Sequence, residues 1–186
     1  MNINPNLLTG TRYFTGDWLG LFVRGDYLYN DPELPNFNVL MTTSSQRWGG
    51  NSQYVKVNAG ETYTFSIYLK EYSGPDKLPL SRFYVELNSD NEFGFNVTHK
   101  LARIQDTSGF NNKPIQVTKT WQRFSYTFKI LNDGYIKPRF EIDFQCYTSD
   151  YSNLLIGQYG LKLERGSEMT PYCGTVEEGG GGSYAK

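Results

Sequence analysis

The side chains of this chain best suited to act on a ligand are carboxylates, an arginine and tyrosines carried on strand-like runs. Arg82 to Asn88 alternates Phe83, Val85 and Leu87 with Tyr84, Glu86 and Asn88, and Arg139 to Phe144 alternates Phe140, Ile142 and Phe144 with Arg139, Glu141 and Asp143. A period of two puts the apolar set on one face of a strand and the polar set on the other. Tyr84, Glu86, Arg139, Glu141 and Asp143 are therefore expected on outward faces, with Tyr68 of a neighbouring run beside them. Two chemistries fit that set. Paired carboxylates across a cleft hydrolyse glycosidic bonds, one as acid and the other as nucleophile or base. Alternatively, a tyrosine ring stacks on the C–H face of a sugar while carboxylates, asparagine and arginine hold its hydroxyls, which needs no catalytic group. Trp48, beside Gly49-Gly50-Asn51, and Tyr54 and Tyr147 are further stacking candidates.

Other chemistries are poorly supplied. The chain has one histidine, His99, and contains no HExxH, Gly-x-Ser-x-Gly or CxxC. A Ser-His-Asp or Cys-His enzyme would have to be built on that one residue. No glycine-rich loop precedes a helix, so a phosphate cradle is not expected. Lys and Arg number 18 against 19 Asp and Glu, a net charge of −1, and the pI is about 5.9. A nucleic-acid partner is not expected from that balance. Nor is a membrane partner: mean hydropathy is −0.54, and no apolar run approaches the ~18 residues of a spanning helix.

The elements that must position these residues are strands. Aromatic residues make up 16 % of the 186 residues, as 15 Tyr, 12 Phe and 3 Trp, whereas alanine occurs only at Ala59, Ala102 and Ala185. Such a composition favours sheet over helix. Glu61 to Lys70 sets Tyr63, Phe65, Ile67 and Leu69 against Thr62, Thr64, Ser66, Tyr68 and Lys70. Arg123 to Ile130 sets Phe124, Tyr126, Phe128 and Ile130 inward. Leu154 to Leu163 reads as a last strand broken by Gly157 and Gly160, and Tyr54 to Val57, Val39 to Thr43 and Leu7 to Leu8 as shorter ones. Turn chemistry at Asn58-Ala59-Gly60, Ser73-Gly74-Pro75-Asp76 and Asn132-Asp133-Gly134 separates the runs. An all-β, antiparallel β-sandwich follows. His99 to Ile104 is expected to form one helical turn inside an irregular Asp90 to Thr120 insert, Trp121 to plug the core, and Tyr13 to Pro35 to carry loop aromatics.

The end of the chain, Glu177 to Lys186 with its Gly179-Gly180-Gly181-Gly182-Ser183 run, has linker composition, so residues 1–172 are expected to fold and 173–186 to form a tail. Cys146 and Cys173 are too few for a disulfide framework, and their 27-residue spacing leaves a single bridge open. Met1-Asn2-Ile3-Asn4-Pro5 has no basic or apolar signal region, so no secretion signal is expected.

Several of these residues also carry a resemblance. Asn6-Leu7-Leu8-Thr9-Gly10-Thr11 with Gly16-Asp17-Trp18, the Val55 to Lys70 strand pair, Thr120 to Phe128, and Gly157 to Gly166 with Thr170-Pro171-Tyr172 together resemble the jelly-roll carbohydrate-binding modules of tail and baseplate proteins of phages infecting Gram-positive bacteria. The resemblance spans Asn6 to Tyr172. It implies a non-catalytic jelly-roll module of the virion that binds host cell-wall or surface polysaccharide for adhesion, working beside other tail proteins. On that reading the residues singled out above, Trp48, Tyr54, Tyr84, Glu86, Arg139, Glu141, Asp143 and Tyr147, are the expected saccharide contacts. Family members holding a structural calcium often have an Asp-Asp pair before the last strand; here the matching stretch is Ile156-Gly157-Gln158-Tyr159. No cofactor is therefore expected, and a calcium ion would have to draw on Asn6, Asp17 or Asp143. Two alternatives stand beside the adhesin: an assembly domain docking to another virion protein through aromatics of Tyr13 to Pro35, and a jelly-roll glycosidase.

Overall fold

The chain is described here from a computed structural model, covering residues 3–19, 27–43, 51–74, 77–80, 83–91, 94–103, 115–130, 133–142 and 154–175, with side chains outside 77–116 and 139–142. Among the described residues there are twelve strands: β1 (Tyr27–Tyr29), β2 (Val39–Thr43), β3 (Val55–Val57), β4 (Thr62–Ser73), β5 (Lys77–Leu80), β6 (Phe83–Asn91), β7 (Gly94–Arg103), β8 (Ile115–Thr118), β9 (Gln122–Lys129), β10 (Gly134–Ile136), β11 (Arg139–Ile142) and β12 (Leu155–Arg165). Every pairing is antiparallel. The first sheet runs β1-β2-β12-β4-β9; the second runs β11-β6-β10-β3 with β7 on the other edge of β6; β5 and β8 form a small third sheet.

The alternation of the sequence is what the two main sheets bury. Tyr63, Phe65, Ile67 and Leu69 of β4, Phe128 of β9 and Leu161 and Leu163 of β12 meet Val57 of β3 and Ile136 of β10 in one apolar cluster, which Leu8, Trp18 and Val117 close. Phe124 and Tyr126 pack against it. The expected strand interiors are thus confirmed wherever side chains are described. The fold is an antiparallel jelly-roll sandwich.

Four local expectations are corrected. Residues 99–103 are extended in β7, paired with β6, rather than helical; hydrogen bonding to β6 outweighs the weak helix preference of so short a run. Gly157 and Gly160 do not break β12, which runs from Leu155 to Arg165 with a register shift between Tyr159 and Lys162. Gly160, at φ +61°, supplies the left-handed residue of that bulge. Leu7 and Leu8 form no strand, although Leu7 N–H donates to the Leu163 carbonyl. Trp121 is no plug of the inter-sheet core: it packs on the outer face of the first sheet, edge-on to Tyr159 at 4.7 Å and to Tyr72 at 6.1 Å.

That outer face is itself covered. Thr64 and Ser66, expected to face water, are buried: Thr64 Oγ1 donates to the Gly166 carbonyl, and Ser66 Oγ accepts from Arg123, whose guanidinium also donates to the Thr170 carbonyl. The Asn6 amide side chain fastens the N-terminal segment: its Oδ1 accepts from the N–H groups of Leu8 and Leu163, and its Nδ2 donates to Thr11 Oγ1 and the Leu161 carbonyl. Under the C-terminal strap, Lys162 and Glu164 are both fully buried, 3.1 Å apart. Lys162 Nζ also donates to Thr170 Oγ1 at 2.6 Å and the Pro171 carbonyl at 2.8 Å, and Thr170 N–H donates to Glu164 at 3.0 Å. Cys173 is a free thiol donating to the Asn4 carbonyl; Cys146 and residues 176–186 of the expected tail lie outside the described residues.

Candidate functional site

The register between β6 and β11 decides where the expected ligand residues go. Arg139 pairs with Glu86 and Glu141 with Tyr84, and directly opposed antiparallel residues share a face. Four of the eight expected saccharide contacts thereby occupy a two-by-two block on one face of the second sheet. The block extends in both directions. On the far edge of β6, Glu86 is also opposite Arg103 of β7, so an acidic position stands between two arginine positions. Toward β3, Asp90 is opposite Tyr135 of β10, and Tyr135 is opposite Lys56. Tyr54, a fifth expected contact, joins this face just before β3. It is 51 % exposed, and Lys137 Nζ stands 5.2 Å from its ring centroid. On the reverse of β3 and β10, Val57 and Ile136 enter the core, which puts Lys56 and Tyr135 on the opposite face.

Trp48, Asp143 and Tyr147 lie outside the described residues. Tyr68 is separated from the block, contrary to expectation. It belongs to β4 in the first sheet, because β4 pairs with β9 and β12 and never with β6. Its ring is also engaged, stacked on Tyr159 at 4.7 Å and held under the Arg123 guanidinium at 5.3 Å. Arg103, Tyr135, Lys56 and Lys137 were not anticipated as part of the face. Tyr135 and Lys137 could have been found by running the Arg139, Glu141 alternation backward. Arg103 could not, since its strand lies in the stretch read as an irregular insert.

The first sheet gathers a second polar group, of a different character. Asp31 is 4 % exposed, accepts from the Tyr72 hydroxyl and from Glu33 N–H at 2.8 Å, and has Lys70 Nζ at 3.8 Å. Burial pushes its carboxyl up, but the Tyr72 hydroxyl, the Glu33 N–H, Lys70 and the Trp121 indole together hold it below the ordinary 3.8. Burial and Asp31 raise the Tyr72 phenol far above its usual value, and burial pushes Tyr159 up to about 12. Neither phenol can serve as a base near neutrality. Groups this closely satisfied are structural ties for the 30s loop rather than an open site.

The oxygen ligands considered for calcium are differently placed. Asn6 spends its side-chain oxygen on two backbone N–H groups, Asp17 is exposed, and Asp143 lies outside the described residues. Among the described residues no group of three or more His, Cys, Asp or Glu side chains gathers.

Known proteins share this architecture. The CBM22-1 xylan-binding domain of Paenibacillus barcinonensis Xyn10C superposes with a TM-score of 0.53 at 12 % identity, over 89 % of this chain and 97 % of that one. The fold is that of a carbohydrate-binding module. A part of a second structure, the enzymatically active domain of bacteriophage CBA120 tailspike protein 4, is also similar, with a TM-score of 0.53 at 10 % identity over 86 % of this chain and 21 % of that one. By sequence, the module is similar to a tail fiber protein of Enterococcus phage phiEF24C, 25 % identical over 190 residues. That match takes in 95 % of this chain and 10 % of the tail fiber protein, so the module spans a small part of its relative's length. No family model matches the chain.

Proposed function

We propose that the chain is a non-catalytic saccharide-binding module of a phage tail protein, acting in the virion to hold polysaccharide on the surface of a Gram-positive host. The observation that carries this reading is the register that sets Tyr84, Glu86, Arg139 and Glu141 together, with Tyr54 exposed on the same face. Stacking on tyrosine and hydrogen bonds from paired charged groups would hold a sugar chain weakly, and many copies on one particle would supply avidity. The xylan-binding domain and the tail fiber relative support the saccharide and the virion parts of the reading respectively. The test is retention of the purified module on isolated enterococcal cell walls before and after chemical removal of their polysaccharide. Binding that disappears with the polysaccharide supports the module as an adhesin; no binding across a panel of Gram-positive walls overturns it.

A second reading is a virion assembly domain. It is favoured by the edge strand β1, where Tyr27, Leu28 and Tyr29 are 44 %, 36 % and 39 % exposed. Capture of another tail protein through this edge by a module that ignores glycans would establish it. A third reading is a glycosidase, for which Glu86 and Glu141 on one face of the second sheet supply paired carboxylate positions. Release of reducing ends from a polysaccharide panel, stopped by Glu86→Gln, would replace the adhesin with an enzyme.

A further inference from the structure

Residues near the two ends of the described chain are clasped to one another on a single side of the sandwich. Asn4 N–H donates to Thr170 Oγ1 at 3.3 Å, and its side-chain amide donates to the Arg165 carbonyl at 2.8 Å. The Cys173 thiol donates to the Asn4 carbonyl at 3.4 Å, and the Thr11 and Tyr172 hydroxyls hydrogen-bond at 2.9 Å. The clasp sits above Lys162, whose ammonium donates to Thr170 Oγ1 and to the Pro171 carbonyl. Arg123 pins it further, with one guanidinium nitrogen on the Thr170 carbonyl and the other on Ser66 Oγ of β4. Leu161 and Leu163, on either side of Lys162, belong to the core, so Lys162 and the clasp lie on the outer side of the first sheet. Val57 and Ile136 belong to the same core, which puts Lys56 and Tyr135 on the outer side of the second sheet. Clasp and candidate face are thus separated by the thickness of the sandwich, two sheets packed about 10 Å apart.

From this we infer that the module is joined to the rest of its own protein on the first-sheet side, whichever end carries the join, and presents the second-sheet face outward. The inference rests on the saccharide-binding reading and adds how the site is displayed. The direction in which the chain leaves is fixed by bonds: Thr170 has its N–H, hydroxyl and carbonyl all engaged, by Glu164, Lys162 and Arg123. The strands of the candidate face, β3, β6, β10 and β11, all belong to the other sheet, so a polysaccharide lying across them does not meet the attachment. The tail fiber relative extends far beyond the matched part, which is 10 % of its length, and a module within such a protein has to be displayed from it. Copies attached alike turn their faces the same way, and avidity requires that geometry, because it is lost when sites cannot engage together.

The experiment anchors the full chain to beads in three ways and measures capture of enterococcal cell-wall fragments, each form compared with its own binding in solution. In a Cys146→Ser/Cys173→Ser background, biotin on a short linker is placed at Glu168→Cys in the clasp or at Lys56→Cys on the second sheet. A third form carries biotin ahead of Met1. Positions 56 and 168 are exposed, so equal melting temperatures are expected and serve as the folding control. Beads loaded through residue 168 and through the N-terminal end should capture walls equally, whereas beads loaded through residue 56 should capture none. Capture through residue 56 that matches the other two overturns the inference, as does loss of capture when the chain is anchored at residue 168 or ahead of Met1. If Lys56→Cys by itself abolishes binding in solution, the ligand is thereby placed on the second sheet, and the other two anchors decide the outcome. Solution binding by the parent chain separates the two readings: with it, failure on the beads leaves the saccharide reading intact; without it, both are overturned.

Discussion

Replacing Lys162 by methionine tests whether the C-terminal strap is held by its buried ion pair. Both members of the pair are fully buried, and the ammonium reaches three acceptors: Glu164, Thr170 Oγ1 and the Pro171 carbonyl. Methionine keeps the length and apolar stem of the side chain but leaves the Glu164 carboxylate without its counter-charge. Removing one member of a buried pair costs about 3–5 kcal/mol. For a chain of this size each kcal/mol shifts the melting temperature by about 2–4 °C, so a fall on the order of 10 °C is expected. The assay is thermal denaturation followed by circular dichroism, with limited proteolysis to report whether residues 167–172 have come loose. Lys162→Met/Glu164→Leu should recover at least half of the loss, because no unpaired charge remains. A single variant melting within about 1 °C of the parent would refute the account. So would a double variant less stable than the single one, which would mean that the strap depends on Glu164's bonds to Thr170 and not on charge pairing.

Asp31 predicts a pH effect. Its folded pKa lies below the ordinary value of 3.8, so its stabilisation is complete above that value and is lost as pH falls through the folded pKa. Asp31→Asn should therefore melt below the parent at pH 7, with the gap closing on acidification below about 3.8; a gap that stays constant from neutral to strongly acid solution would count against it. Gly157→Ala would place a methyl 2.5 Å from Tyr72 Cε2, 2.9 Å from Val39 Cγ1 and 3.2 Å from the Trp121 ring, an overpacking expected to cost about 1–3 kcal/mol. Val39→Ala should relieve part of that cost in the same thermal assay, and an unaltered melting temperature in Gly157→Ala would sink the claim. Finally, Tyr84→Ala and Arg139→Ala should each abolish retention on cell walls without a large drop in melting temperature. Unchanged retention in both would move the site off the second sheet.

The extent of the fold that could be read from residues alone follows the strength of each alternation. Val39–Thr43 is a strand with the bounds its residues suggested, and the long runs of β4 and β9 were found because one face of each is continuously apolar. β7 escaped because Thr98, His99 and Lys100 carry no such pattern; its strand state comes from pairing with β6. The Gly157 and Gly160 positions misled for a related reason. Glycine weakens a strand in isolation, yet here it makes room for the Tyr72–Trp121 packing at one position and forms a bulge at the other. Trp121 was assigned to the wrong face because burial can be had on either side of a sheet once another segment covers it.

For the candidate face, the period of two in the Arg82 and Arg139 runs was enough to separate the outward set from the core set. That separation is local: it depends only on the pleat and on which side chains avoid water. Which outward residues meet depends on sheet membership and register, and these are settled by contacts between distant parts of the chain. Tyr68 and Tyr84 are equivalent along the sequence, but β4 and β6 fall in different sheets, so the two tyrosines belong to different sheets of the sandwich. Arg103, Tyr135 and Lys56 entered the face by the same pairing, brought there from residues well separated along the chain. The sequence alone thus determined the strands and the chemistry each could offer. The tertiary structure decided which of those offers are made on one surface, because a hydrogen-bonded ladder joins strands by register and not by their order in the chain.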